Sequence, residues 1–152
     1  MQERLKIIYN INKSGYSNLA NVDDAFLRYE FIEGSAKFSS DRGVINFHED
    51  IPLFDLAVAL RLISIELSSK RKDKQSLDYT ESDDEVIFNK ADDNIIITTT
   101  YSEETIQAKY KEFAEAVEIF YNELIRTIAI KYPESTSNKS YQNILTLTEK
   151  KS

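Results

Sequence analysis

The sequence predicts a single α+β domain in which an antiparallel sheet carries its helices on one face. Three observations predict this class. Several segments alternate apolar and polar side chains, two segments have helical periodicity, and strands and helices do not alternate regularly along the chain. The predicted helices are a buried middle helix over residues 52–69 and a long C-terminal helix over residues 103–132. With 152 residues, 41% of them apolar, the chain can bury one proper core.

The first third of the chain predicts strands. Residues 5–11, LKIIYNI, alternate in period two, which favours a strand over the alternative of a short helix. Gly34 and the triplet Asp41-Arg42-Gly43 are typical of turns. They divide the segments that follow into an antiparallel meander of three short strands, predicted over residues 25–33, 36–40 and 44–49.

The middle helix is predicted by its apolar stripes. Pro52 suits the first turn of a helix. Two stripes at spacings of three and four residues follow it, which predicts burial on more than one side. Their members are Leu53, Leu56, Ala57, Leu60, Ile63 and Leu67, and Phe54, Val58, Leu62 and Ile65. The basic run KRKDK, residues 70–74, is predicted to be a solvated loop.

The second half predicts three more strands and the long helix. The strands are expected over residues 76–81, 85–90 and 95–101, with a turn at 91–94. Ser102 offers an N-cap, and Glu103 and Glu104 would lie in the first helical turn. Pro133 ends the helix and, with it, the predicted domain of residues 1–133.

Residues 134–152 form a polar C-terminal tail in this prediction. Their Ser/Thr/Asn-rich beginning is typical of a linker. Two possibilities stay open for the remainder, a short docked element and a disordered tail. The docked element would use Tyr141, Ile144, Leu145 and Leu147.

Charge is concentrated in one part of the chain. The net charge is −7, and residues 78–104 alone hold nine acids against one base, Lys90. An acidic protein repels nucleic acid and anionic membranes and attracts basic partners. The alternative is that these acids only keep exposed loops soluble. The residues predicted to bind a partner are Glu81, Asp83, Asp84, Glu85, Asp92, Asp93, Glu103 and Glu104.

No pattern for catalysis, a cofactor or a metal is found. The chain has no Cys, three Gly and one His, and it lacks GxSxG, GxGxxG and P-loop motifs. A metal site of His48, Asp50 and Asp55 would lack ligand spacing, and no acidic run fits a calcium loop. We therefore expect a non-enzymatic protein. The charged N-terminal segment and the lack of long apolar runs predict a cytoplasmic location.

The layout resembles that of a known class of proteins. The stretch GSAKF through GVINFHEDIPLFDLAVAL, residues 34–60, is followed by a hairpin and a long final helix. Over roughly residues 22–132 this is similar to immunity proteins of bacterial polymorphic toxin systems, including those of contact-dependent growth inhibition. The resemblance implies stoichiometric binding to one toxin domain, often a basic nuclease, and carries over no binding residue. The alternative function is an adaptor or chaperone-like domain that binds another protein.

Overall fold

A computed structural model describes residues 4–14 and 19–149. Within them the chain forms eight strands, four α-helices and one 3₁₀ helix. In chain order they are β1 (Lys6–Ser14), α1 (Asp24–Tyr29), β2 (Ile32–Ser40), β3 (Gly43–Asn46), β4 (Ile51–Pro52), α2 (Leu53–Ser68), β5 (Lys72–Asp78), β6 (Glu85–Ala91), β7 (Asn94–Thr99), β8 (Ile106–Lys109), α3 (Tyr110–Lys131), the 3₁₀ helix (Pro133–Ser137) and α4 (Lys139–Leu147).

The strands form two antiparallel sheets of four strands each. In the first sheet β2 is central, with β1 on one side and β3 and β4 on the other. The second sheet has the order β5-β6-β7-β8. The sheets adjoin where β3 meets β8, since Gly43 lies against the backbone of Thr105. The predicted α+β class is confirmed, with two sheets in place of one.

The two long helices pack on each other and on both sheets. Helix α2 contacts β2, β4 and β5, and α3 contacts β1, β7 and β8. Both apolar stripes predicted for α2 contribute to the core, because Phe54, Leu60 and Leu67 are fully buried. The observed helix differs from the predicted range of 52–69 by one residue at each end. Among the described residues, no helix is long and apolar enough to cross a membrane.

A cluster of four phenylalanines joins the layers. The ring of Phe38 on β2 lies 5.4 Å from that of Phe47, 6.1 Å from that of Phe88 on β6 and 6.2 Å from that of Phe113 on α3. Phe88 and Phe113 are themselves 5.5 Å apart. All of these distances are in the range of favourable aromatic pairs. One cluster therefore holds both sheets and the long helix together.

The strand predicted over residues 25–33 is wrong, because most of this segment is helical. The side chain of Asp23 accepts a hydrogen bond from the backbone N–H of Phe26, which caps the start of α1. Leu27 and Phe31 are both buried and lie four residues apart, a spacing that fits a helical turn as well as a strand face. The strand itself begins only at Ile32.

The turn predicted at Gly34 is also wrong. Gly34 lies inside β2 and pairs with Ile11 of β1 and Ile51 of β4. A Cβ atom at this position would lie 1.9 Å from the carbonyl oxygen of Asn10. Glycine is required here because the backbones of β1 and β2 approach closely beside the bulge in β1. Such a close approach is one of the places where glycine occurs inside strands.

The long helix starts later than predicted. Ile106 pairs with Ile97 of β7, so residues 106–109 form the edge strand β8, and α3 begins at Tyr110. The Ser102 hydroxyl does accept a hydrogen bond from the backbone N–H of Glu104, but within a loop. The sequence prediction placed Ile106 in the helix because it lies four residues before Tyr110, a spacing typical of an apolar helical stripe. With 22 residues, α3 is about 33 Å long.

Strand β5 occupies part of the predicted basic loop. It runs from Lys72 to Asp78, so residues 72–74 of KRKDK belong to the sheet and residues 79–81 of the predicted strand do not. Alternation is weak here because the inward side chains of Asp73 and Gln75 are polar. The strand is specified by its seven pairs with β6.

The C-terminal segment takes the docked form. Tyr141 and Ile144 of α4 are buried, and the ring of Tyr141 stacks on Phe54 of α2 at 5.4 Å. Asn138 fixes the segment to the body of the domain. Its amide nitrogen donates to the carbonyl oxygens of Leu19 and Val22, and its side-chain oxygen accepts from the N–H of Tyr141.

We expect Phe38→Ala to destabilise the protein by about 3–5 kcal/mol, because it opens a cavity where three structural layers meet. Denaturant-induced unfolding measures the change. Ile130→Ala, at a side chain that is 75% exposed, is the control and should cost little. Similar losses for both variants would contradict the central role of the cluster.

Asn138→Ala should cost about 1–3 kcal/mol, because it removes a helix cap and leaves buried carbonyl groups unpaired. The same unfolding measurement applies, with Asn143→Ala on the exposed face of α4 as the matched control. An unchanged midpoint for Asn138→Ala would show that the segment is not docked in solution.

Candidate functional site

The eight acids predicted to bind a partner lie at two opposite ends of the second sheet. Strand β6 separates the two groups by about 20 Å, its length at 3.3 Å per residue. Asp92 and Asp93 form the turn at one end. The other six lie at the opposite end, where the loops after β5 and β7 meet. The hydroxyl of Thr100 joins these loops by accepting from the N–H of Glu85 and donating to Asp84.

The end with Asp92 and Asp93 has mixed charge. Asp92 has a carboxylate oxygen 3.4 Å from a guanidinium nitrogen of Arg71. The concave surface beside the turn is lined by four more bases, namely Arg4, Lys90, Lys109 and Lys111. The acids here are largely balanced by their neighbours, so they offer a weak attraction for a basic partner.

A cleft at the other end carries several acids. It has a volume of about 540 Å³ and is lined by four carboxylate residues, Glu33, Glu49, Asp50 and Glu81. Among the described residues that line it, none is Lys or Arg. Glu81 was predicted from sequence, whereas the other three come from β2 and the loop before β4. Glu103 and Glu104 lie farther along, where Glu104 reaches Gly43 at the start of β3.

His48 forms one wall of this cleft and connects the two sheets. Its ring stacks on that of Tyr79 at 3.7 Å with an interplanar angle of 5°. Tyr101 meets the same ring edge-on at 4.7 Å. The Nε2 atom of His48 is 3.0 Å from a carboxylate oxygen of Asp84. Asp84 therefore serves as a partner of His48 and is less available to a ligand than Glu81.

A chain of hydrogen bonds fixes the aromatic wall. The backbone N–H of His48 donates to the hydroxyl of Tyr79 at 3.1 Å. The hydroxyls of Tyr79 and Tyr101 are 3.0 Å apart, and Tyr101 donates to the carbonyl oxygen of Asn46 at 2.6 Å. Since the proton of Tyr101 goes to Asn46, the proton between the two phenols belongs to Tyr79. With this direction of donation, the hydroxyl groups of Tyr79 and Tyr101 each donate one hydrogen bond and accept one.

Burial raises the pKa of both phenols. For Tyr79, the hydrogen bond from the backbone N–H of His48 opposes the effect of burial in part, and the charge of Asp84 adds to it. For Tyr101, burial raises the pKa most, and the charge of Asp84 adds to it. Both side chains therefore remain neutral at physiological pH, and their hydroxyl groups serve as structural hydrogen-bond partners. Neither acts as a base.

An apolar groove continues from the cleft along α2. It shares five residues with the cleft, has a volume of about 260 Å³, and runs between β5 and the exposed side of α2. Leu56, Ala59 and Ile63 line it. Tyr29 and Leu62 border it with 44% and 39% of their surface exposed, so they extend the apolar surface of the groove toward solvent.

The three residues weighed as metal ligands do not form one cluster, although His48 and Asp50 both line the cleft. His48 faces Asp84, whereas Asp55 accepts a hydrogen bond from Arg28 at 2.7 Å. Asp50 has a left-handed backbone with φ of 54°, a conformation that Asp tolerates better than most residues. In the part of the chain that the structure describes, no three His, Cys, Asp or Glu residues are arranged to hold a metal ion.

The arrangement is suited to bind a cationic group. The lining itself holds no Lys or Arg among the described residues, and Lys13 of β1 lies opposite Glu33. Carboxylates clustered on a concave surface concentrate negative potential, and the low-dielectric aromatic wall strengthens it. Sequence reasoning missed Glu33, Glu49 and Asp50 as members of this site. The acidic pair after His48 was visible in FHEDIP, but its proximity to Glu81 depends on how the two sheets pack.

Comparison of the chain with protein-family models, with curated proteins and with solved structures found no match.

We expect the phenols of Tyr79 and Tyr101 to ionise above the pH at which those of the unfolded chain do, about pH 10. Raised pKa values in the fold mean that their contribution to stability is complete below pH 10 and is lost as the pH rises beyond it. Tyrosinate absorbance during an alkaline titration measures this, with the chain in denaturant as reference. Tyr101→Phe should remove a late-titrating phenol. Loss of an early-titrating one would contradict the network.

Proposed function

We propose that the chain is a stoichiometric inhibitor that binds a basic toxin domain, as the immunity proteins that its layout resembles are expected to do. The observation that supports this most is the cleft with four carboxylates and no basic residue along its lining. A cleft of this kind recognises Lys or Arg side chains by charge. Long-range attraction between oppositely charged surfaces also raises the association rate.

The dimensions favour a protein partner. A typical protein interface covers about 800 Å² on each partner. The surface of this chain is 8914 Å², so such an interface would occupy about a tenth of it. The cleft, the groove and the loop ending in Asp84 form a continuous surface that can be covered by one partner. The exposed rings and aliphatic groups at Tyr29 and Leu62 supply the apolar contacts that charge alone does not.

A gene-neighbourhood experiment tests the inhibitor proposal. The adjacent open reading frame should encode a large secreted protein with a variable C-terminal domain. That domain, produced alone in a bacterial host, should arrest growth, and co-production of this chain should restore growth and yield a one-to-one complex. A neighbour without toxicity, or a toxic domain that forms no complex, would overturn the proposal. A complex with a harmless basic protein would favour the adaptor alternative.

We expect removal of cleft charge to slow association with the partner several-fold. The variant carries Glu49→Gln, Asp50→Asn and Glu81→Gln, three exposed positions whose replacement should barely affect folding. Stopped-flow or biolayer measurements at several salt concentrations give the association rate. Added salt screens the attraction, so the rate of the variant should also depend less steeply on ionic strength.

The matched control removes the same number of exposed acids at other places. It carries Asp92→Asn, Asp93→Asn and Glu123→Gln, and its net charge equals that of the cleft variant. The control should keep most of the wild-type rate, because its acids lie outside the cleft. Equal slowing in both variants would assign the effect to overall charge and remove the cleft from the proposal.

A further inference from the structure

Strand β5 exposes a free edge beside the cleft. Among the described residues it pairs only with β6, and every pair follows one antiparallel register. The N–H of Asp92 donates to the carbonyl of Arg71, and the N–H of Tyr79 donates to the carbonyl of Asp84. Residues 71 and 79 are therefore in hydrogen-bonded pairs, and so are the odd-numbered residues between them. The backbone groups of Ser76 and Asp78 point away from β6.

The two halves of this edge differ in the sign of their charge. Charged side chains on an edge strand, Lys above all, disfavour pairing with another chain. Lys72 and Lys74 are exposed at the start of β5, whereas Ser76 and Asp78 follow at its end. The half with Asp78, whose charge attracts a basic segment, lines the groove together with Leu77 and Thr80.

The free edge, the apolar groove and the acidic cleft are continuous. Ser76 and Asp78 form one side of the groove, and Leu62 with Ala59 of α2 forms the other. The groove and the cleft share Tyr79 and Thr80. A chain that leaves the groove beyond Asp78 therefore enters the space between Glu49 and Glu81.

We propose that the partner segment received here is an extended strand that pairs with Ser76 and Asp78 of β5. It places an apolar side chain against Leu62 and a Lys or Arg side chain among the carboxylates of the cleft. The inference rests on the proposed binding of a basic protein and names the part of that protein that is recognised. Backbone pairing supplies affinity, and the groove and the cleft supply selectivity.

The geometry of a strand matches these three features. Ser76 and Asp78 are two residues apart, which is about 7 Å along the edge. A paired strand has side chains on alternate faces, so one apolar residue can enter the groove while the next points to solvent. The following residues on the same side reach the cleft. A segment of five to seven residues, the usual length of a strand, is enough for this path.

The test uses the full chain and a phage library of random twelve-residue peptides. Selected peptides should combine Lys or Arg with apolar residues at alternate positions. On addition of a synthetic selected peptide, the amide groups of Ser76 and Asp78 should show changed NMR shifts and at least tenfold slower hydrogen exchange. An empty selection, acidic peptides, or shifts confined to other surfaces would overturn the proposal.

N-methylation of the peptide tests the backbone pairing directly. Two peptides are made, one methylated at the odd-numbered amides and one at the even-numbered amides. In a paired strand only one of these sets faces β5, so methylation of that set removes the donors and the other set leaves them intact. One peptide should bind at least tenfold more weakly, and the other should bind nearly as well as the unmethylated peptide. Equal behaviour of the two peptides would show that side chains alone are recognised and would overturn strand pairing.

Variants of the chain test the two side-chain contacts. Leu62→Ser should weaken binding of the peptide at least fivefold, and Ile96→Ser, at a side chain of nearly equal exposure on the second sheet, should not. The double variant Glu49→Gln and Glu81→Gln should also weaken binding of the peptide at least fivefold, whereas the double variant Asp92→Asn and Asp93→Asn should not. If a variant and its control weaken binding equally in either comparison, the placement of the peptide is overturned.

These outcomes are separable from those of the toxin experiment. Peptide binding at β5 in a chain that protects no cell would contradict the inhibitor function alone. Protection and complex formation without any effect of Leu62→Ser or of the peptide would contradict the strand inference alone.

Discussion

The packing of Phe38 is the contact on which the remaining structure depends. Its fully buried ring meets aromatic rings from β6 and α3 and from the residue that follows β3. Because β2 is the central strand of the first sheet, this contact sets the position of that whole sheet relative to the second. The border between β3 and β8 is short by comparison, since β8 has only four residues. The aromatic cluster therefore determines how the two sheets meet.

The cleft exists because the sheets meet in this way. Glu33 and Glu49 belong to the first sheet and the loop that follows β3, whereas Glu81 belongs to a loop of the second sheet. The stack of His48 on Tyr79 crosses between them, and the phenols carry the connection on to Asn46. The cleft is thus a consequence of core packing together with this local connection. A change in how Phe38 packs would shift Glu33 and Glu49 relative to Glu81.

Much of the fold could be predicted, for reasons that differ between elements. Helix α2 was predicted nearly to the residue, because a helix buried on several sides has redundant apolar stripes. The β6–β7 hairpin was equally clear, since β-branched runs flank a two-residue turn at Asp92 and Asp93. Strand β8 was assigned to the helix because the position of Ile106 fits both the period of two residues of a strand and the period of 3.6 residues of a helix. A four-residue edge strand contributes too few positions to decide between them.

The site was predicted only in part, because proximity in space decides its membership. Glu81 was found from the density of acids along the chain, but Glu33 is separated from it by almost fifty positions. The same reasoning also included Asp92 and Asp93, whose neighbours in the fold include Arg71 and Lys90. The density of acids along the chain does not account for a base such as Arg71, which the neighbouring strand β5 brings to Asp92.

The distribution of charge around the cleft is itself an argument for binding. Four carboxylates share one concave surface whose described lining holds no Lys or Arg. Several acids elsewhere in the chain lie beside bases, as Asp55 does beside Arg28 and Glu66 beside Lys70. The wall of the cleft is fixed by a stacked ring pair and a chain of hydrogen bonds. A cation supplied from outside would bind the carboxylates without rearranging that wall, so little of its binding energy would be spent on ordering the protein.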